Sequence, residues 1–342
     1  MSSAPSDAAQ YVEAGPRHGG SQPSDELVAT PSESFVASER VQSITERAML
    51  YLGLGYPVHL AGPAGTGKTT LAFHIVAQLG NPVSLIHGND EFGTGDLIGK
   101  DSGYTKTSIV DNYISSVLKT KEDLSVKWTD NRLTLAAQQG HTLIYNEFNR
   151  TRPEANNILL SILEEGVLNL PKTGGGFLEV HPSFRCVLTS NPVEYAGMHQ
   201  TQDALLDRLV TIRCDHYDAQ TEVNIATAKS GIDAERAGRL VSMCRAVRER
   251  TKGGARPTIR TVIALARVVA ACDCDVDADD SNFMMLARDL LGTDLARDGS
   301  AEASSVEAIR EIIAVTAPVT ASVTPRTPRP RRIQQKKPSD AV

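Results

Sequence analysis

The chain has 342 residues, a formal charge of −6 and 41% hydrophobic residues, while aromatic residues make up only 5% of the chain. That is enough aliphatic material for one large domain, or a core with a smaller companion, and the acidic balance excludes bulk attraction to nucleic acid. No apolar run approaches a membrane span, no apolar signal core opens the chain, and five scattered cysteines fit reduced thiols; together these point to the cytoplasm.

Residues 1–32 are rich in Ser, Ala, Pro and Gly without periodicity and are expected to be disordered. Over residues 35–54, Val41, Ile44, Ala48, Met49 and Leu52 recur at helical spacing. That helix packs either on a nucleotide base or simply on the core. Residues 57–61 are an apolar run of strand type, and residues 69–79 read as a helix stopped by Gly80. Between them stands GPAGTGKT, residues 62–69, which matches G-x-x-x-x-G-K-[ST] without a mismatch. Glycines there let backbone N–H groups turn inward around phosphate oxygens, and the following helix N-terminus adds its dipole. Gly62, Pro63, Ala64, Gly65, Thr66, Gly67, Lys68, Thr69 and Thr70 are therefore the expected ATP site. Lys68 reaches the β- and γ-phosphates, and the Thr69 hydroxyl binds Mg²⁺.

A second buried strand is predicted over 82–87, followed by a Gly-rich loop to residue 99. Phe92 in that loop either meets a substrate or folds back on the core. Tyr113, Ile114, Val117 and Leu118 predict a helix near 109–119, Trp128 an anchor, and residues 130–139 another helix ended by Gly140. Residues 141–148 form a third strand that ends in Asn146 and Glu147. An apolar strand ending in an acidic pair supports Mg²⁺ through water with its first acid and polarises the attacking water with its second. Glu147 is placed for the second role; Asn146 keeps an acceptor for the first but lacks the charge.

A helix over 154–165 and a hairpin over 167–180 follow. The fourth strand, 184–191, ends in Thr-Ser-Asn, and Asn191 is the candidate to orient the attacking water. Arg208 precedes a fifth strand and either reaches a neighbouring subunit's γ-phosphate or pairs with Asp207 or solvent. From residue 215 the texture is helical, with helices predicted over 218–229, 233–250, 258–272 and 304–316. Cys272 and Cys274 lack a second pair or nearby His and read as loop thiols. A basic Pro-rich tail, read as disordered, closes the chain and serves either for docking or for solubility.

The phosphate loop, the Glu147 strand, the Asn-Arg after it, the hairpin, the Thr-Ser-Asn-Pro at 189–192 and the Leu-Leu-Asp-Arg at 205–208 resemble an AAA+ ATPase of the MoxR type. Longer strings, HGNDEFGTGDLIG and NRTRPEANNILLSILEEGVLNLP among them, resemble the gas vesicle protein N family over roughly residues 38–270. The resemblance implies a P-loop α/β core with a parallel five-stranded sheet, which is placed over 33–214, and a small all-helical lid, placed over 215–317; the tails over 1–32 and 318–342 carry none of it. It implies sensor roles for Asn191 and Arg260, an arginine finger at Arg208, and Mg²⁺ held by Thr69 and, through water, Asn146. Family members usually carry Asp at the Asn146 position, which puts the hydrolysis rate in question. The implied protein is a cytoplasmic, ring-forming, hexameric ATPase that acts on gas vesicle shell and accessory proteins, without nucleic acid or membrane partners. Two rivals remain: a nucleotide-gated structural component with little turnover, and a MoxR-type chaperone for another complex.

Overall fold

The computed structural model describes residues 11–13, 27–29, 35–111, 119–171, 176–191, 203–250, 256–296 and 302–315. The first part of the chain carries β1 (Tyr11–Glu13), β2 (Leu27–Ala29), α1 (Glu39–Gly53), β3 (Val58–Ala61), α2 (Lys68–Leu79), β4 (Val83–His87) and α3 (Thr94–Ile98). Then come β5 (Gly99–Asp111), β6 (Lys119–Asp130), α4 (Arg132–Gln139), β7 (Thr142–Asn146), α5 (Pro153–Asn156) and α6 (Ile158–Leu160). The core closes with β8 (Val167–Asn169), β9 (Phe177–Glu179), β10 (Arg185–Ser190), α7 (Asp203–Leu206) and β11 (Val210–Arg213).

The main sheet runs β1-β2-β4-β7-β10-β3-β11, and its last five strands are parallel. These are the five strands expected. Parallel strands covered on both faces read as continuous apolar runs, and β7 is buried along its whole length. Its side chains still alternate: Ile144 joins the cluster under α1 and α2, while Leu143 and Tyr145 join the cluster on the opposite face. The helix over α1 buries Val41, Ile44, Ala48 and Leu52 into the first cluster, which is core packing. Within the N-terminal segment expected to be disordered, only β1 and β2 are described. They pair antiparallel, and Leu27 lies opposite Val83. An edge strand presents unpaired backbone groups, and β4 offers that edge to a short apolar triplet.

Three local expectations change. Ile109 and Val110, placed in a helix, are strand residues of β5 paired with Lys121 and Thr120 of β6. Pairing across a hairpin satisfies backbone groups that a short helix leaves open. The four residues that suggested that helix, 113, 114, 117 and 118, lie outside the described residues. The Gly-rich loop contains α3, closed at its start by Gly93 N–H donating to Asp96 Oδ2 at 3.1 Å. Phe92 is half-buried against the second cluster, so the core-facing alternative holds. The expected helix after Arg152 runs through α5 and α6 and ends in a π turn, Ser161–Glu165, closed by Gly166 in the left-handed region.

The lid comprises α8 (Ala219–Ser230), α9 (Ala234–Arg250), α10 (Ile259–Cys272), α11 (Ser281–Ala296) and α12 (Glu302–Val315) among the described residues. Four of these match predicted helices. The helix at α11 was not predicted, although Phe283, Met284, Ala287 and Leu291 follow helical spacing and are buried. Its start is capped by Asp280 Oδ1, which accepts from the N–H groups of Asn282 and Phe283 at 2.8 and 3.1 Å. Cys274 is buried in the lid core and Cys272 is exposed. The basic tail over 318–342 lies outside the described residues.

Candidate nucleotide site at the strand ends

The loop between β3 and α2 is built by two glycines in the left-handed region, Gly65 at φ +70° and Gly67 at φ +80°. A Cβ on Gly65 would sit 2.2 Å from Thr258 Oγ1, so the lid approaches the loop closely at the start of α10. Gly67 stands at the N-cap of α2, and no side chain caps that helix. Its first N–H groups are thereby left to an anion. Gly62 N–H donates to Ser190 O at 3.3 Å, and Thr66 Oγ1 donates to Pro63 O at 3.0 Å. Lys68 Nζ donates to the carbonyls of Gly62 and Pro63 at 2.8 and 2.6 Å. Burial lowers the Lys68 ammonium to about 8; Cys214 and Glu147 pull it back up, and Arg260 pushes it further down. A half-desolvated cation beside uncapped N–H groups suits phosphate oxygens.

Across β7, β10 and α2 runs a row of neutral polar groups. Asn146 Oδ1 accepts from Thr69 Oγ1 at 2.6 Å and from Thr189 Oγ1 at 2.7 Å. Thr189 Oγ1 in turn accepts from Glu147 N–H at 3.0 Å. Because Thr69 gives its proton to Asn146, its oxygen lone pairs remain for a hard cation, and this oxygen donor set fits Mg²⁺. On the other side, Asn146 Nδ2 faces His87 Nδ1 at 3.3 Å.

Glu147 sits at φ +53°, an unusual backbone for this residue, at the sharp turn after β7. A Cβ on Gly88 would meet Glu147 O at 2.1 Å, so only glycine fits beneath that turn. The Glu147 carboxylate is part-exposed and pairs with Arg150 at 3.2 Å. Asn191 is buried; its carbonyl accepts from Asn149 Nδ2 at 2.9 Å. Its side-chain oxygen has no hydrogen-bond partner among the described residues. An orphaned buried acceptor of this kind suits a water or an incoming ligand.

A cleft of about 500 Å³ lies between core and lid, lined by Gly65, Gly67, Thr69 and Thr70 on one side and Ile259 and Arg260 on the other. Arg208 does not line it. Its Nε donates to Glu164 Oε2 at 2.9 Å, Nη2 donates to the same oxygen, and Nη1 donates to Ala204 O at 2.5 Å. The partner is thus Glu164 of the π turn rather than Asp207, because α7 packs against α6, which leads into that turn. Sequence reasoning passed over His87, Thr189, Arg150 and Glu164. Thr189 carried a signal, two positions before Asn191 on one strand; the others depend on strand order and on how helices dock.

A phosphate loop on a parallel β4-β7-β10-β3-β11 sheet, with a polar row at the strand ends and a helical lid over the cleft, defines an AAA+ ATPase, here of the MoxR type. Residues 57–209 match the family model for the AAA domain (dynein-related subfamily). The chain is 43% identical to the Gas vesicle ATPase GvpN of Ancylobacter aquaticus, covering 85% of this chain and 82% of that protein. It is 42% identical to the Gas vesicle ATPase GvpN2 of Halobacterium salinarum, over 83% of this chain and 80% of that one. The Protein NorQ of Paracoccus denitrificans is 28% identical over 56% of this chain and 64% of its own length. The chain belongs to the gas vesicle ATPase family typified by GvpN.

Proposed function

We propose that this protein hydrolyses ATP to promote gas vesicle assembly and growth, working on shell or accessory proteins in the cytoplasm without nucleic acid or membrane partners. The observation that carries it is the polar row linking Glu147 N–H, Thr189, Asn146 and the Thr69 hydroxyl at 3.0, 2.7 and 2.6 Å. In this reading a core over 33–214 and a lid over 215–317 close on the nucleotide. Backbone N–H groups of residues 62–70 cradle the phosphates, and Lys68 leaves the loop carbonyls for the β- and γ-oxygens. Thr69 and, through water, Asn146 would hold Mg²⁺, which when bound would supply positive charge against the phosphate oxygens. Glu147 turns from Arg150 to take a proton from water as the water oxygen attacks the γ-phosphorus and the bond to ADP breaks. Asn191 orients that water, Arg260 approaches across the cleft, and Arg208 of an adjacent subunit in a hexameric ring meets the γ-phosphate.

A second reading, a nucleotide-gated structural component with incidental turnover, is favoured by the uncharged Asn146 and by Arg208 being held on Glu164. Turnover per subunit, measured against protein concentration, separates the two. We expect it to rise with concentration, to vanish in Lys68→Ala, and to fall on the order of 100-fold in Glu147→Gln with ATP still bound. Tight ATP binding with negligible turnover at every concentration would replace the first reading with the second.

A further inference from the structure

We infer that His87 is a positioning residue for Asn146: its ring nitrogen fixes which end of the amide faces Thr69. The inference rests on the reading of Thr69 and Asn146 as the Mg²⁺-supporting pair. His87 and Asn146 are register partners at the ends of the adjacent parallel strands β4 and β7. Gly88 N–H donates to Asn146 O at 2.7 Å, and the glycine beneath the Glu147 turn lets the two strand ends approach. Only the Nδ2 end of the amide can donate, so at 3.3 Å His87 Nδ1 is the acceptor.

An amide has two ends of nearly equal size and opposite hydrogen-bonding character. Rotated by half a turn, Asn146 would present N–H groups to Thr69 and Thr189. Thr189 Oγ1 already accepts from Glu147 N–H at 3.0 Å; it would have to spend its second lone pair on the amide, and its own proton would lose Asn146 Oδ1 as acceptor. The Thr69 hydroxyl would have to accept and would give up a lone pair meant for the cation. His87 opposes that rotation by offering a lone pair to Nδ2. A carboxylate at this position would have two equivalent oxygens and no orientation to choose; one of them would face the His87 lone pair. The histidine therefore matches an asparagine: it sets an orientation that an acid would not need to choose, without supplying the acid's charge.

The test is binding of a fluorescent ATP analogue to the full-length protein, with Mg²⁺ or with EDTA, alongside melting curves without nucleotide. In wild type, Mg²⁺ should tighten binding. His87→Ala should lose about five- to tenfold in affinity with Mg²⁺ and nothing in EDTA, the size expected from one hydrogen bond. The melting curve should stay in place. His87→Gln, which keeps an acceptor, should recover most of the loss. In an Asn146→Asp background, His87→Ala should cost less than about twofold, because a carboxylate needs no orientation. Equal losses with Mg²⁺ and EDTA, no loss at all, or the same cost in the Asn146→Asp background would each overturn the inference. A wild-type protein whose ATP affinity ignores Mg²⁺ would instead remove the reading of the site itself.

Discussion

At the strand ends of the core, buried polar side chains find uncharged partners. Asn146 takes protons from Thr69 and Thr189, and His59 bridges Ser190 Oγ at 2.8 Å and Thr211 Oγ1 at 3.0 Å. In the lid, a fully buried carboxylate, Glu222, meets two guanidinium groups, Arg248 at 3.0 Å and Arg245 at 3.4 Å. The Arg248 side chain also donates to Pro257 O at 2.7 Å, just before α10, where Arg260 stands. The lid thus pairs its buried carboxylate within itself and uses one of the arginines to fix the start of a helix. In the core the row is neutral, and the half-desolvated Lys68 rests on the carbonyls of Gly62 and Pro63 rather than on a carboxylate. Charge paired with opposite charge inside the fold serves structure; charge resting on neutral carbonyls is available for binding.

The largest expected effect tests the lid side. Glu222→Ala removes the buried carboxylate from a part-buried Arg248 and a more exposed Arg245, and breaking a buried pair of this kind costs up to about 3 kcal/mol. Chemical denaturation should show the lid transition moving earlier, and the cleft around Arg260 should lose nucleotide affinity with it. A cost below about 1 kcal/mol would mean that the lid does not depend on its charges.

The next effect tests the core. Burial lowers His59 from 6.5 to about 4, so the folded state holds it neutral. Between those values the unfolded chain binds a proton that the folded chain does not, and stability falls as pH falls through the window. The loss approaches roughly 3 kcal/mol at the acid end. His59→Phe, although less stable at neutral pH for leaving Ser190 and Thr211 unpaired, should show a flatter slope between those two values. An unchanged slope would assign the acid loss to other groups.

The smallest effect concerns the pair outside both regions. Arg208 and Glu164 are part-exposed, and such pairs contribute about 0–1 kcal/mol. Glu164→Ala should leave the denaturation midpoint in place while releasing Arg208, so turnover at low protein concentration should rise, by about twofold. A clear loss of stability would make the pair a strut rather than a holder.

Much of this was legible before folding. The phosphate loop, five strands (their parallel pairing came only from the family resemblance), the hairpin after Gly166 and four of the lid helices follow from glycine placement and apolar period, which act over a few residues. The hairpin of β5 and β6 was not, because its pairing spans Gly99 to Asp130 while the local pattern near residue 113 suggested a helix. Nor was α11, whose cap and apolar spacing were present but unread.

What the sequence by itself determined is therefore the set of chemical groups: Lys68, Thr69, Asn146, Glu147 and Asn191, each at the end of a strand or the start of a helix. The conformation that displays them depends on near neighbours in the chain. Tertiary structure alone decided their partners. Strand order put β4 beside β7 and so His87 beside Asn146, and put β10 on the other side with Thr189. The docking of α7 gave Arg208 to Glu164. Hydrogen bonds and ion pairs reach only a few ångströms, so residues 59 or 44 positions apart interact only after the fold has brought their elements together.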